Sequence, residues 1–319
     1  MLSGDPIKAK ATALGFDSVG VCSPAPPVSL DVFDRWLQAD FHGEMAYLRR
    51  YRDIRGDLSK LLPGVQSVIV VGLNYYQEES RDAASAQARI ARYALGRDYH
   101  KVIRGKLRAL ARQLGESHPE AQFRACVDSA PILEREYAQR AGLGWFGKNT
   151  CLIDSKRGSW FLIGSLLTTL LIERDDPAIG GCGTCRACID ACPTGAIVQL
   201  DGKWQVDARQ CISYLTIEKR GEFSSAEAEM IGDWTFGCDV CQEVCPFNHP
   251  RESQPLRAQV TNEPDFLVLR EWPHLEKLAV MTDDDFDNLT RGSATRRANP
   301  DGLRRNARAN LKNQDKELA

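Results

Sequence analysis

The stretch Cys182–Pro193, CGTCRACIDACP, decides how the second half of the chain folds. Its spacing, Cys-x2-Cys-x2-Cys-x3-Cys-Pro, lets one short loop place three thiolates around a single [4Fe–4S] cluster while the fourth thiolate reaches a neighbouring cluster. A second stretch, Cys238–Pro246 (CDVCQEVCP), repeats this spacing without its first cysteine, and Cys211 lies upstream to supply the missing ligand. The two stretches therefore predict two iron–sulfur clusters side by side.

Eight cysteines divide between these clusters if the last thiolate of each stretch crosses to the other cluster. This rule assigns one cluster to Cys182, Cys185, Cys188 and Cys245, and the other to Cys192, Cys211, Cys238 and Cys241. Zinc is the alternative metal, but zinc sites use paired knuckles of two ligands each, which this spacing fits poorly. The remaining cysteines lie in apolar stretches and are predicted to be inert buried thiols: Cys22, Cys126 and Cys151.

Composition indicates a globular protein with reduced thiols. Of 319 residues, 43% are hydrophobic, and 41 lysines and arginines nearly balance 43 aspartates and glutamates, which excludes a wholly basic nucleic-acid coat and a wholly acidic tail. A chain of this length predicts about two domains and buries a core without disulfides, so its 11 cysteines need another explanation. Met1–Pro6 lacks a secretory signal, and the longest apolar run, Trp160–Ile172, is too short to cross a bilayer. We therefore expect a cytoplasmic protein without a membrane segment.

The first part of the chain alternates between strand and helix patterns. Strands are predicted at Ser67–Leu73, Phe123–Val127, Thr150–Ile153 and Trp160–Leu171. Helical spacing occurs at Gly105–Leu114 and again from Pro131, while GLGWFG at Gly142–Gly147 follows a helix and leads into a strand, unlike a dinucleotide-binding turn. We expect an α/β domain at residues 1–175, a cluster-binding domain at 176–252 and a helical segment at 253–319.

Further motifs extend through nearly the whole chain in order. They are Val127–Arg135 (VDSAPILER), Gly142–Leu152 (GLGWFGKNTCL), Gly158–Phe161 (GSWF), Cys182–Ile197, Cys211–Glu218 (CISYLTIE), Gly237–Asn248 (GCDVCQEVCPFN), Gly292–Arg297 (GSATRR) and Leu303–Asn306 (LRRN). Together they resemble one family, the epoxyqueuosine reductases, which are cobalamin-dependent iron–sulfur enzymes of tRNA modification. Many members continue into helical repeats beyond the part that this sequence matches.

The resemblance implies a fold, a reaction and partners. The fold is an α/β (α+β) cobalamin-binding domain, then a ferredoxin-like domain with two [4Fe–4S] clusters, then a short helical C-terminal segment. The reaction reduces the epoxide of epoxyqueuosine to the alkene of queuosine, the last step of queuosine biosynthesis. Its substrate base occupies the wobble position of GUN anticodons, in tRNAs for aspartate, asparagine, histidine and tyrosine. The resemblance also implies an external electron donor, clusters that feed electrons to cobalt, and a monomer.

Asp128 is the candidate proton donor of this reaction. Loss of the epoxide oxygen as water requires protons, because an alkoxide leaves poorly. Asp128 follows an apolar strand, where burial is expected to raise its pKa and keep the carboxyl protonated near neutral pH. The alternative is an aspartate that caps the helix beginning near Pro131. His100 also has two interpretations, a helix-cap or exposed residue and a residue beside the cobalt.

Cobalamin is bulky and mostly apolar with amides at its rim, so its pocket should combine hydrophobic walls with polar partners. By resemblance, its contacts are Arg55, Asp128, Leu152, Ile163, Leu166, Ser213, Cys238 and Asp239. Ser213 and Asp239 lie one or two residues from ligands of the second cluster, facing the acceptor of the electrons. The three aliphatic residues fit a plain hydrophobic core equally well.

A basic segment near the end of the sequence is the candidate RNA-binding surface, because phosphate contacts dominate affinity for nucleic acids. Residues 290–319 hold eight lysines and arginines against three acidic residues, a net charge of +5. The candidate RNA contacts are Arg220, Arg296, Arg297, Arg304 and Arg305, although a basic helix is often only a solvated face. Two other functions stay open at this point: a cobalamin-dependent reductive dehalogenase, and an electron carrier without a substrate of its own.

Overall fold

A computed structural model describes residues 1–78 and 88–318 of the protein. Its strands are β1 (Ser18–Cys22), β2 (Ser67–Asn74), β3 (Arg89–Ile90), β4 (Phe123–Cys126), β5 (Trp145–Phe146), β6 (Leu152–Ile153), β7 (Phe161–Thr168), β8 (Ile197–Leu200), β9 (Lys203–Val206) and β10 (Trp234–Phe236). Its α-helices are α1 (Asp5–Ala13), α2 (Leu30–Gln38), α3 (Ala46–Arg50), α4 (Arg52–Gly56), α5 (Tyr99–Ser117), α6 (Glu134–Arg140), α7 (Ala187–Asp190), α8 (Ile212–Ile217), α9 (Ser225–Met230), α10 (Val240–Glu243), α11 (Pro264–Leu267), α12 (Leu275–Ala279), α13 (Asp283–Thr290) and α14 (Asn299–Leu318). Within the described ranges, no helix combines the length and hydropathy of a transmembrane segment.

An antiparallel sheet in the order β1-β2-β7-β4 forms the core of the first part of the chain. Strand β2 is a β-branched run, SVIVVGLN, and its side chains alternate between the two faces. Ile69 and Val71 pack on one face, while Val68 and Val70 pack on the other. Because both faces are covered, the strand is apolar throughout rather than alternating with polar residues.

Helix α5 covers one face of this sheet and helix α6 the other. Ile103 and Leu107 on α5 are fully buried against the sheet. On strand β7, a Cβ added to Gly164 would lie 2.5 Å from Cγ2 of Ile103, so the glycine permits the close approach of α5. This packing brings the first turn of α5 beside the end of β4.

The expected fold class is confirmed in its α+β form. Strands and helices alternate along the sequence as predicted, but the pairings in the main sheet are antiparallel rather than parallel. The helix expected from Pro131 begins later, at Glu134, because the preceding residues form a turn. In that turn, the backbone N–H of Ile132 donates to the carbonyl of Ala130 at 2.8 Å.

The cysteine-rich part of the chain is built from short elements. Helices α7 and α10 each follow the start of a cysteine stretch and contact each other, and β8 and β9 form a hairpin. The predicted domain limits stay predictions. Strand β3 of the expected first domain pairs in parallel with β10 of the expected second domain, so these two regions share backbone hydrogen bonds.

The C-terminal part is helical, as expected, and helix α14 packs against α12, β10 and α8. Leu303 and Ala307 are fully buried in this contact. The buried side chain of Asn306 donates to the carbonyls of Thr216 and Thr235 at 2.8 and 2.9 Å. Helix α14 is therefore fixed to the cysteine-rich region by buried polar contacts as well as by apolar packing.

Candidate functional site

Asp128 lies just after strand β4, on the loop that leads into α6. Its backbone φ of 38° is in the left-handed region, which costs a residue other than glycine about 1–3 kcal/mol. Strained residues of this kind concentrate at functional sites, where the surrounding fold holds them in place. Helix α6 has Leu133 at its N-cap, so Asp128 is not the helix cap that the sequence also allowed.

Two side chains from the first turn of α5 contact the Asp128 carboxylate. The Tyr99 hydroxyl donates to Oδ2 of Asp128 at 3.0 Å, and Nε2 of His100 lies 3.0 Å from the same oxygen. On the other side of the ring, Nδ1 of His100 lies 2.8 Å from Oδ1 of Asp98, which caps the helix. His100 is therefore clamped between two carboxylates instead of acting as a cap or an exposed residue.

In the pair formed by His100 and Asp128, the imidazole of His100 carries the proton at neutral pH. Burial opposes its charge, but hydrogen bonds to Asp128 and Asp98 outweigh burial and raise the pKa of His100 to about 9. Burial also acts to raise the pKa of Asp128, yet the hydrogen bond and charge of His100, with the Tyr99 hydrogen bond, lower it overall. The Asp128 side chain is 54% exposed, so solvent supports its charge as well. The pKa of Asp128 is therefore shifted in the direction opposite to the rise that burial alone predicts.

A second carboxyl group, on Glu134, meets the same loop and was missed by sequence reasoning. Its Oε2 accepts a hydrogen bond from the backbone N–H of Asp128 at 3.3 Å. Burial and the nearby Asp128 charge raise the pKa of Glu134 to about 7. Both residues belong to the motif VDSAPILER, but the turn between them is what brings them together. The site therefore holds two proton-bearing groups near neutral pH, His100 and Glu134.

The structure brings together the four cysteines assigned to the first cluster. One cavity is lined by Cys182, Cys185, Cys188 and Cys245, together with Lys148, Asn149, Ile153, Pro246 and Phe247. Burial and the neighbouring thiols raise the pKa of Cys188 to about 11, so four thiolates at this position require a positively charged partner such as iron. The donor set fits a [4Fe–4S] cluster whose fourth ligand comes from the second cysteine stretch.

The four cysteines assigned to the second cluster also lie near one another. Electrostatic interactions link Cys211 and Cys238 to Cys192, and Cys241 to Cys238 and Cys211. Burial raises the pKa of Cys238 to about 12, which again favours a cationic partner for the thiolates. Across residues 1–78 and 88–318, no three His, Cys, Asp or Glu side chains converge on one point as ligands of a single metal ion do.

Cys151, predicted to be an inert thiol, instead contacts the second set of cysteines. Its thiol shares a hydrogen bond with the thiol of Cys241. Its backbone N–H donates to Oδ1 of Asn149 at 3.2 Å. Cys22 and Cys126 are buried as expected, and burial raises the pKa of Cys22 to about 12 and of Cys126 to about 11, which keeps both thiols protonated.

Arg55 offers a binding position for an anionic or carbonyl-bearing group. Its guanidinium is 5.9 Å from the centre of the Phe33 ring, and the residue is only 7% exposed. Among the described residues, no acceptor lies within hydrogen-bond distance of its buried Nη1. A buried, unpaired donor on a cation is costly, so the site favours an acceptor from a bound molecule. The amide rim and phosphate of cobalamin fit this requirement.

Among the aliphatic residues predicted to contact cobalamin, Leu166 belongs to the core instead. It is fully buried in the same cluster as Ile69 and Val71, so it has no surface left for a cofactor, and its assignment is wrong. Leu152 and Ile163 are 4% and 9% exposed and pack in the cluster on the other face of the sheet. Their contact with cobalamin stays a prediction.

The polar residues predicted to contact cobalamin lie beside the second set of cysteines. Ser213 and Cys238 are half-buried, whereas Asp239 is only 2% exposed. Oδ2 of Asp239 accepts a hydrogen bond from the backbone N–H of Arg92 at 2.7 Å. Asp239 therefore links the second cysteine stretch to the segment that follows β3.

The candidate RNA-binding arginines differ in exposure. Arg296 and Arg297 have side chains that are 51% and 53% exposed, and Arg220 is also exposed. Arg304 has a side chain that is 21% exposed and forms ion pairs with Asp283 and Asp301. The first three are the members of this set that the structure presents most openly to solvent.

Arg305 is buried, so its prediction as an RNA contact is wrong. It is 3% exposed and donates hydrogen bonds of 2.8–2.9 Å to the carbonyls of Leu215, Lys219 and Gly221. Burial lowers the pKa of Arg305 to about 10. Charge counting along the sequence could not show that this side of α14 faces the protein.

We expect Arg305→Ala to lower the free energy of unfolding by about 3 kcal/mol, because buried carbonyl groups lose a charged donor. Denaturant unfolding followed by circular dichroism measures the change. The matched control, Arg296→Ala, removes an exposed ion pair from the same part of the chain and should change stability by less than about 1 kcal/mol. Equal stabilities of the two variants would contradict the structural role of Arg305.

Comparison with protein families gives two matches. Residues 55–129 match the family model described as epoxyqueuosine reductase QueG, DUF1730. Residues 181–248, which include all eight assigned cysteines, match the 4Fe-4S double cluster binding domain. The second match covers the whole region in which the structure brings the two sets of cysteines together.

Individual proteins extend the similarity over almost the whole chain. An epoxyqueuosine reductase of Gloeobacter violaceus is 44% identical over 311 residues, which cover 96% of this chain and 94% of that protein. A crystal structure of epoxyqueuosine reductase with an epoxyqueuosine-modified tRNA-Tyr stem loop has a TM-score of 0.83 at 27% identity, covering 97% of this chain and 80% of that one. The Bacillus subtilis epoxyqueuosine reductase with its catalytic aspartate loop swung out of the active site has a TM-score of 0.81 at 27% identity, covering 97% and 81%.

Proposed function

The chain belongs to the epoxyqueuosine reductase family, and on that premise we propose that it reduces epoxyqueuosine to queuosine at the wobble position of GUN-anticodon tRNAs. It is an oxidoreductase with cobalamin and two [4Fe–4S] clusters as its cofactors. The observation that carries the proposal is the strained Asp128, joined to His100 and Glu134 at the edge of the sheet. An external donor supplies the electrons.

The proposed reaction determines how many electrons and protons the protein must supply. Conversion of an epoxide to an alkene breaks two C–O bonds, consumes two electrons and two protons, and releases the oxygen as water. Cobalamin, when bound, supplies a strongly reducing cobalt centre, and Arg55 would hold an acceptor group of this cofactor. Asp128, His100 and Glu134 supply the protons, because an epoxide oxygen leaves only when its negative charge is neutralised.

Proton delivery begins at the His100–Asp128 pair. Before the transfer the proton rests on His100, whose pKa of about 9 keeps the imidazole charged at neutral pH. Substrate that covers the half-exposed carboxylate removes water from it, and this desolvation favours transfer of the proton from Nε2 of His100 to Asp128. Asp128 then protonates the epoxide oxygen. Because Asp98 still accepts from Nδ1, the imidazole stays oriented after the transfer.

Glu134 supplies the second proton in this proposal. The groups facing it are Asp128, Arg135 and His100, with Tyr99 beside them. A carboxyl with a pKa of about 7 is protonated below that pH and loses its proton as the pH rises. Its contact with the backbone of Asp128 places it within the loop that bears the first acid.

Glu134→Gln should lower turnover about 10- to 100-fold at pH 6, because the amide still accepts from Asp128 N–H but has no proton to release. Wild-type turnover should fall as the pH rises through about 7, and the variant should lack this fall. Rate–pH profiles under single-turnover conditions measure both effects. Glu120→Gln, an exposed carboxyl outside the site, is the control and should match the wild type. A Glu134→Gln profile that keeps the wild-type fall would contradict the assignment.

Arg220, Arg296 and Arg297 are the arginines proposed to contact tRNA phosphates. Arg297 lies over the ring of Tyr47 at 5.5 Å and pairs with Glu218. Tyr47 in turn interacts electrostatically with Asp128, so this basic surface adjoins the proposed proton donor. An RNA held there would have its wobble base near the acid. The related structure with a tRNA-Tyr stem loop supports RNA as the substrate.

Anaerobic reconstitution with iron, sulfide and cobalamin, followed by assay on epoxyqueuosine-containing tRNA, tests the proposed function. Nucleoside mass spectrometry should show loss of one oxygen atom from the modified base. A chain that carries both cofactors and a strong reductant yet forms no queuosine would overturn the proposal. The same preparation allows the proposed monomeric state and the identity of the electron donor to be examined separately.

A further inference from the structure

The loop Gly147–Cys151 joins β5 to β6 and reaches toward both sets of cysteines. Its ends are fixed by a hydrogen bond of 2.8 Å from the backbone N–H of Gly147 to the carbonyl of Cys151. A Cβ on Gly147 would lie 2.6 Å from Oδ1 of Asn149, so a larger residue at this position would force that buried side chain to shift. Asn149, which is 4% exposed, donates through Nδ2 to the carbonyl of Cys241 at 3.2 Å. This loop is therefore a fixed element between the two cluster positions.

Lys148 extends from this loop to the first cluster position. Its Nζ donates to the carbonyls of Gly183 and Cys185, both at 2.8 Å, and it lies 5.9 Å from the centre of the Trp204 ring. Lys148 also lines the cavity that the first set of cysteines surrounds. Within the described residues, the hydrogen-bond partners of Nζ are these two carbonyls and no carboxylate pairs with it, so its positive charge is not offset by a bonded acid.

We propose that Lys148 is a positioning residue that raises the reduction potential of the first cluster. Reduction adds one electron, and hence one negative charge, to a group already held by four thiolates. A fixed cation beside that group stabilises the reduced form more than the oxidised form, because Coulomb energy scales with the charge. Lys148 has this role only if Cys182, Cys185, Cys188 and Cys245 bind the cluster, as we propose.

A higher reduction potential of the first cluster would favour entry of electrons from the external donor at that cluster. The cluster-binding loop is exposed at Gly183 and Thr184, so a donor can approach the first cluster position from solvent. The same two hydrogen bonds fix the carbonyls of the loop that carries the first two ligands. Lys148 therefore sets both the position of that loop and the charge around it.

Lys148→Met in the reconstituted holoenzyme tests the proposal. We expect the equilibrium constant for reduction of the first cluster to fall at least tenfold, which corresponds to a midpoint about 59 mV lower for a one-electron couple. Redox titration with dithionite, followed by electron paramagnetic resonance, measures this midpoint. The second cluster, which Lys148 does not line, should keep its potential and serves as an internal reference.

Three further variants distinguish an effect of the Lys148 charge on the potential from an effect on assembly of the cluster. Lys148→Arg keeps the charge and should stay near the wild-type midpoint, whereas Lys148→Gln should behave like Lys148→Met. Lys156→Met removes an exposed lysine after β6 and should leave both potentials unchanged. An unchanged first midpoint in both neutral variants at full iron content would overturn the proposal. Loss of iron from both neutral variants but not from Lys148→Arg would also overturn it, since the charge would then serve assembly. Wild-type iron content and spectrum test the cluster ligation independently.

Discussion

Asp128→Asn should lower the turnover of epoxyqueuosine-containing tRNA by about 10²–10⁴-fold, the range typical of a lost general acid. The amide cannot release a proton to the epoxide oxygen, although it still accepts from the Tyr99 hydroxyl. Asparagine also tolerates the left-handed backbone that Asp128 adopts at a φ of 38°, so the loop should keep its shape. Single-turnover assays with matched iron and cobalamin content measure the loss.

The structure offers a matched control for this substitution. Asp201 is an exposed aspartate in the β8–β9 hairpin with a φ of 48°, so Asp201→Asn makes the same chemical change on the same kind of backbone. It should leave turnover unchanged. In Asp128→Asn the pKa of His100 should fall below about 9, because one of its two carboxylate partners becomes neutral. Near-normal turnover with a lowered His100 pKa would contradict the role of Asp128 as proton donor.

The candidate acid could be found from sequence, but its charge state could not. An aspartate directly after an apolar strand is visible in VDSAPILER. Its partners Tyr99 and His100 lie on α5, and their approach depends on how that helix packs against β7. Burial alone predicts a raised pKa, whereas the hydrogen bonds and charge of those partners reverse the direction. For this reason the sequence pointed to Asp128 but did not show that the proton lies on His100.

The same limit explains the assignments of Leu166 and Arg305. Both faces of the main sheet are covered, so an apolar strand residue carries no sign of whether a cofactor or a helix lies above it. Arg305 sits in a basic helix whose inner side meets carbonyl groups as well as apolar side chains. A buried arginine that bonds to carbonyls has the same sequence pattern as an exposed one. The cysteine spacing was more informative because cluster geometry restricts it directly.

Cys245→Ala should halve the iron content and abolish turnover, with loss of the cluster that Cys182, Cys185 and Cys188 also bind. Cys245 lies in the second cysteine stretch but lines the cavity of the first set. If each stretch instead served its own cluster, the same substitution would remove the other cluster. The residual cluster's resonance spectrum and midpoint potential distinguish these outcomes when compared with those of Cys182→Ala and Cys238→Ala.

If the last cysteine of each stretch binds the cluster of the other stretch, specific pairs of cysteine variants should lose the same cluster. Cys245→Ala and Cys182→Ala should retain the same cluster, and Cys192→Ala and Cys238→Ala should retain the other one. Cys126→Ala is the control, because its buried thiol lies in the sheet core and should leave all iron in place. Matching spectra for Cys245→Ala and Cys238→Ala would contradict the crossing. If both clusters lie on the electron route, as we propose, either pair of variants should lose turnover with external donors even though Asp128, His100 and Glu134 are intact.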